Sequence, residues 1–244
     1  MRKTAALAAL VALTLSGCGL FNRDSAEPSK SASPTPSESL SSSATSSATA
    51  DIPLAIVVSN TRSAGGATVK VVTSLTGPES FSGTLAGSLS LDTGTGRADY
   101  TAANGRTSER IMTGGKTYTS AGSTWVATAQ TGRGLLGGDL PTLWRLLSTM
   151  SSTAVAGKSE GSIELADALA LASVDSNTAG LIKTSGLRAD VSISFDTNGV
   201  LTKLQIAWSD SKRSLSVTLS VSDVGQVIEV TAPTEVVTGG PESQ

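Results

Sequence analysis

Cys18 is the only thiol in this chain of 244 residues, and the chain contains no histidine. A single cysteine excludes an intrachain disulfide. Without an imidazole, neither a Ser-His-Asp nor a Cys-His nucleophile can be assembled, and the commonest general base and metal ligand is missing. Asp92-Thr93-Gly94 has no second copy with which to form a paired carboxylate. Gly132-Arg133-Gly134-Leu135-Leu136-Gly137-Gly138 is glycine-rich, but no Lys-Ser/Thr follows to complete a phosphate cradle. It reads as a flexible loop bordering an entrance beside the helix that comes next. Asp139 and Asp223 read as cap and turn residues. No catalytic residue, metal site or cofactor is therefore expected. With 18 basic and 20 acidic residues and a net charge of −2, nucleic acid is not an expected partner.

The surroundings of Cys18 assign its thiol a different chemistry. Arg2 and Lys3 precede an apolar run from Thr4 to Leu15, followed by Leu15-Ser16-Gly17-Cys18. The run is too short to span a bilayer, which takes ~20 residues, and fits the core of a secretory signal. Leu-Ser-Gly-Cys resembles the lipobox of bacterial lipoproteins. That resemblance implies a diacylglycerol on the Cys18 thiol, cleavage before Cys18, and anchoring at the extracytoplasmic face of the cell membrane. Two acyl chains, at ~0.8 kcal/mol per buried methylene, anchor stably where one would not.

Residues 23–50 are half Ser and Thr, with Pro28, Pro34 and Pro36. Leu40 is their only sizeable aliphatic side chain. Such a composition cannot bury enough apolar surface to offset its ordering entropy, so a disordered tether is expected. The layout is a signal at 1–17, lipidated Cys18 and tether at 18–50, one folded domain at 51–238, and a short tail at 239–244.

The elements of the folded part follow from periodicity. Ile52 to Val58 is apolar and reads as a strand or a short helix. Phe81, Leu85, Leu89 and Leu91 occupy alternate positions with Gly83 and Gly87, and Ser and Thr lie between. Ala98, Tyr100 and Ala102 share a face. So do Leu187 to Phe195, Leu204 to Trp208, and Leu215 to Val221, each at period two. One apolar and one hydroxyl-rich side per strand is the mark of an antiparallel sheet with one wet face. Asp196-Thr197-Asn198-Gly199 separates two runs and supplies a tight turn. Leu140, Leu143, Trp144, Leu147 and Met150 instead fall at helical spacing behind Asp139, with Pro141 in the first turn. They predict an amphipathic helix over 140–151. Ile163 to Leu171 reads as a second helix or as a strand. Strands, then helices, then strands predict an α+β fold: a strongly curved antiparallel half-barrel with helices on its concave face.

Three stretches resemble the LppX/LprAFG lipoproteins of actinobacteria. They are the strand pair Gly115-Lys116-Thr117-Tyr118 and Ser123-Thr124-Trp125-Val126, the helix around Leu143 and Trp144, and the run from Ser192 through Asp196-Thr197-Asn198-Gly199 to Val230-Thr231-Ala232-Pro233. The resemblance covers most of 65–235, and 151–186 matches poorly. It implies a half-barrel similar to the LolA and LolB carriers. It further implies an apolar cavity that takes an acylated lipid or glycolipid and moves it through the cell envelope, without catalysis. A membrane transporter is an open further partner.

Phe81, Leu85, Leu89, Leu143, Trp144, Leu147, Val191, Ile193, Leu204, Ile206, Val217 and Leu219 are the candidate cavity residues, because they share the concave face and the helix stripe. The alternative is that they pack on one another and fill the core of a scaffold or partner-binding protein. The small Gly83, Gly87, Ala98, Ala102 and Ala189 on that face favour a hollow interior. Trp125 and Trp208 read as core plugs or as rim residues.

Overall fold

The computed structural model describes residues 52–155 and 157–238. Cys18, the signal, the tether and the tail lie outside the described residues. Among the described residues, twelve strands form one curved, unclosed sheet, and helices cover its concave face.

Helix α1 (Leu54–Ser63) precedes strand β1 (Gly66–Thr76). A meander follows through β2 (Phe81–Ser90), β3 (Gly96–Ala102), β4 (Thr107–Thr113), β5 (Lys116–Ala121) and β6 (Thr124–Ala129). Next come a 3-10 turn (Leu135–Gly137), helix α2 (Leu140–Thr149), and strands β7 (Ser152–Val155) and β8 (Lys158–Glu164). Helices α3 (Leu165–Leu171) and α4 (Ser176–Gly180) lead into the second meander, β9 (Arg188–Phe195), β10 (Leu201–Ser209) and β11 (Ser214–Gln226). Strand β12 (Val236–Thr238) lies parallel to β6, and every other pairing is antiparallel. The order β12-β6-β5-β4-β3-β2-β1-β11-β10-β9-β8-β7 joins the two meanders at the β1–β11 pair.

Register converts the alternation into cross-sheet rows. Tyr100, Leu85, Val71, Leu219, Leu204, Ile193 and Ser159 line up from β3 to β8. The neighbouring row is Gly83, Thr73, Val217, Ile206 and Val191. Over β1, β11, β10 and β9 this face is nearly all aliphatic, and it is buried against Val57 and Val58 of α1, Leu143, Trp144 and Leu147 of α2, and Leu165 and Leu169 of α3.

The helices are fastened at their ends as well as by packing. Thr61 Oγ1 donates to Val57 O at 2.6 Å and accepts from Leu201 N at 2.9 Å, joining α1 to β10. Asp139 caps α2: its carboxylate accepts from Thr142 N and, at 2.9 Å, from Thr142 Oγ1. Trp144 Nε1 donates to Leu91 O at the end of β2, which makes Trp144 a satisfied core residue.

The half-barrel and the α2 helix agree with expectation, and the first apolar run resolves as a helix. Helix α2 stops at Thr149 because Met150 turns extended, with ψ 128°. The stretch 163–171 is divided: Ile163 and Glu164 complete β8, paired to Ala189 and Arg188, and only Leu165 onward is helical. Gly83 and Gly87 do not mark empty space. A Cβ on Gly83 would lie 2.7 Å from Leu136 Cδ1, and one on Gly87 would collide with the backbone oxygen of Arg97. Neighbouring groups already fill those volumes.

Candidate functional site

Where the aliphatic rows end, the concave face becomes polar. Tyr100 of β3, Arg110 of β4, Thr117 and Thr119 of β5 and Thr128 of β6 line one wall of a cavity of about 600 Å³. The pairings Arg110–Thr119 and Thr117–Thr128 put these groups on the same side as Met112, which faces the core. Ala166 and Ala170 of α3, Val174, Asp175, and Asn177 and Ala179 of α4 form the opposite wall. Phe81 and Leu136 close its inner end, as an apolar floor.

The loop between β6 and α2 supplies Arg133 and Leu136 and is fixed on every side. Arg110 Nη1 donates to Leu136 O at 2.6 Å, Thr117 Oγ1 to Gly137 O at 2.9 Å, and Gln130 Nε2 to Gly138 O at 2.7 Å. Gly132 N donates to Asp139 Oδ2 at 2.8 Å. From the helical side, Ser173 Oγ accepts from Leu136 N and donates to Arg133 O at 2.7 Å. Gly134, at φ +63°, packs so close to Ala170 O that no Cβ fits there. Residues 134 to 140 are buried. The flexible entrance loop expected from the glycines is thus a clamped inner wall. Glycine serves here for close approach to α3.

The cavity lining includes three charged side chains, Arg110, Arg133 and Asp175. The Arg110 guanidinium stacks on Tyr100, 3.8 Å from the ring centroid. Arg133 is half-buried, and its side chain makes no ion pair among the described residues. Among the described residues, Asp175 is the one acid that lines the cavity. Its carboxylate caps α4, accepting from Asn177 N at 3.0 Å and Thr178 N at 2.9 Å. Those backbone donors, Thr178 first, hold its pKa below the usual carboxylate value. Arg110 is thus held by Leu136 O and the Tyr100 ring, and Asp175 by backbone. The site also supplies hydroxyl donors and an apolar floor. It supplies no nucleophile–base pair, and no cluster of three potential metal ligands occurs among the described residues.

Of the twelve cavity candidates, Phe81 lines this cavity. The other eleven, Leu85, Leu89, Leu143, Trp144, Leu147, Val191, Ile193, Leu204, Ile206, Val217 and Leu219, lie in the packed core, each at most 2 % exposed. Of the two further tryptophans, Trp208 packs partly against the core and Trp125 is half-buried. Sequence reasoning missed Tyr100, Arg110, Arg133 and the small residues of α3 as cavity groups. The available signal was Ser108-Arg110-Met112, an alternation that puts an arginine in line with a core methionine. A second depression of about 450 Å³, between α1 and α2, is an open surface groove crossed by the exposed Arg62–Asp92 ion pair at 2.7 Å.

No family model matches the sequence, and no curated protein matches it. Among solved structures, the chain is similar to LprF from Mycobacterium bovis, at 16% identity and a TM-score of 0.39, over 75% of this chain and 96% of that one. It is also similar to the lipoprotein LppX of Mycobacterium tuberculosis, at 13% identity and a TM-score of 0.39, over 73% and 98% of the two chains. A LolA superfamily protein from Nitrosomonas europaea aligns at 8% identity and a TM-score of 0.31, over 74% and 96%.

Proposed function

We propose that the protein is a lipid-anchored envelope protein that binds an acylated lipid or glycolipid under its half-barrel and carries it within the cell envelope, with no catalytic step. The observation that carries this reading is the cavity of about 600 Å³ between β2–β6 and the α3–α4 segment, which falls in the usual range of ligand pockets, about 300–1,000 Å³. Phe81, Leu136, Ala166, Ala170 and Val174 offer apolar surface, and burial of a chain against them needs no specific polar device. The polar opposite wall suits the headgroup of an amphiphile.

The anchor rests on Leu15-Ser16-Gly17-Cys18. Among the described residues no helix is long and apolar enough to cross a membrane. A diacylglycerol on Cys18 would hold the domain at the extracytoplasmic face of the cell membrane, on the tether of residues 18–50. A membrane transporter that loads or unloads the cavity is part of this proposal.

The test is native mass spectrometry with lipid extraction on the full chain carrying Cys18→Ser, so that no acyl group is attached to the protein itself. Co-purifying acyl lipid, released on unfolding, is the expected result. A bare protein mass that stays bare after exposure to fatty acid, phospholipid and glycolipid would overturn it. The competing reading is a scaffold or partner-binding lipoprotein. It is favoured by the eleven candidate residues that pack the core, and it is the reading left standing by that second outcome.

A further inference from the structure

The chain from β11 to β12 crosses most of the sheet. Gln226 ends β11 beside Gly66, and Val236 begins β12 on the outer edge of β6. Seven strand spacings separate β11 from β12 in the sheet order, about 34 Å at ~4.8 Å each. The ten residue steps from Gln226 to Val236 reach at most about 36 Å. Residues 227–235 are therefore a link with little slack. Among the described residues, no backbone hydrogen bond ties 227–234 to the sheet, and Trp125 N donates to Glu235 O at 2.9 Å where β12 begins.

The link starts on the outer, convex face. Gly66 precedes the core residue Ala67 and so turns outward, and a Cβ there would collide with Ile228 Cγ1. Ile228, Val230 and Pro233 are half-buried, whereas Val227, Glu229 and Thr231 are exposed. Ile111 and Tyr118 pair with each other one residue out of phase with Met112 and Thr117 of the concave side, so they too face outward. Both are nonetheless buried, outside the concave core. Trp125 shares their side, because Ala127 opposes Tyr118. Strand β12 itself is held by little. It has three residues in a parallel pairing, the slightly less stable kind, and Val236 and Val237 are 38 % and 49 % exposed.

We propose that residues 227–238 are an exchangeable strap, which covers Ile111, Tyr118 and Trp125 and closes the β6 edge, and that the strap of a second copy of this chain takes the same place in a strand-exchanged dimer. Identity of sequence fixes the occupant. The β6 edge and the outer patch already accept this segment in this register, so the same segment from another copy needs no new complementarity. A link without slack invites the exchange, because reaching a neighbouring body relieves the stretch. An edge left bare would present unpaired N–H and C=O groups beside an apolar patch, which drives its refilling. Ala127, the last residue of β6 paired with β12, adjoins Thr128 of the cavity wall, so each cavity would border a strand lent by the other copy. This inference does not depend on the lipid-binding reading.

The experiment uses two full chains that both carry Cys18→Ser, one with Val126→Cys and the other with Val237→Cys, since Val126 and Val237 are register partners. They are mixed at high concentration, warmed, and treated with the short thiol crosslinker dibromobimane. A covalent heterodimer at several times the yield of either chain alone is the expected result. Inserting Gly-Ser-Gly-Ser after Thr231 gives the link slack and should lower that yield several-fold. A heterodimer yield no higher than that of the separate chains would overturn the exchange, whether a chain carrying both cysteines closes on itself or not. A yield unchanged by the insertion would overturn the taut link as its cause.

Discussion

Leu136 Cδ1 stands 2.7 Å from the place a Cβ on Gly83 would occupy, so a leucine of the β6–α2 loop fills the hollow left by a glycine of β2. The contact separates the filled aliphatic half of the concave face from the cavity beside it. It also predicts a coupled pair of substitutions. Gly83→Ala overpacks the site and should cost about 1–3 kcal/mol. Leu136→Ala removes a side chain only 2 % exposed and should cost about 2–5 kcal/mol. The double substitution should be less destabilised than the sum, because the added methyl enters the space the leucine vacates. Urea unfolding of the four proteins measures this, and strict additivity would show that the two positions do not share the space. Gly87 cannot serve as such a probe, since any side chain there meets the backbone of Arg97.

Ser173 holds φ +64°, a left-handed conformation that costs a side-chain-bearing residue, while its hydroxyl bridges Leu136 N and Arg133 O. Ser173→Ala keeps the strain and loses both hydrogen bonds, and should destabilise by about 1–3 kcal/mol. Ser173→Gly loses the same bonds but relieves the strain, so its thermal midpoint should lie above that of Ser173→Ala. The reverse order would mean that backbone strain is not a term at this position.

Glu79 and Arg213, from the β1–β2 and β10–β11 connections, pair at 3.0 Å across 134 residues. The hydrogen-bonded Arg213 guanidinium holds the Glu79 carboxyl below the ordinary value of 4.5. A carboxyl depressed in the folded state contributes stability that is present above its unfolded pKa and is lost as pH falls through its folded pKa. Glu79→Gln should therefore be less stable than the parent at neutral pH, with the gap closing as pH falls below 4.5. Denaturant midpoints taken across that range test it; a gap that widens on acidification would contradict the pairing.

Cys18→Ser should move the protein from the membrane fraction to the soluble fraction, because the proposed diacylglycerol is lost with the thiol that carries it. Fractionation followed by immunoblotting decides this. Unchanged membrane association would remove the anchoring claim and leave the cavity proposal standing.

The sequence by itself determined the strands and the covering helix. Period-two runs such as Leu215 to Val221 and the helical spacing of Leu140 to Met150 are local consequences of backbone geometry, and the Asp139 cap is a three-residue event. It also determined the chemistry that is out of reach, since a chain without histidine cannot build an imidazole-dependent device. Only the tertiary structure decided which part of the concave face stays open. That choice depends on register between strands distant in sequence, which aligns Arg110 with Thr119 and Tyr100 with Leu85. It depends equally on the β6–α2 loop, whose Leu136 fills the space at Gly83 and whose Arg133 borders the cavity. Alternation reports that Val191 and Phe81 each face inward. It holds no information on whether another side chain arrives to meet them, because that is settled by packing between segments far apart in the chain.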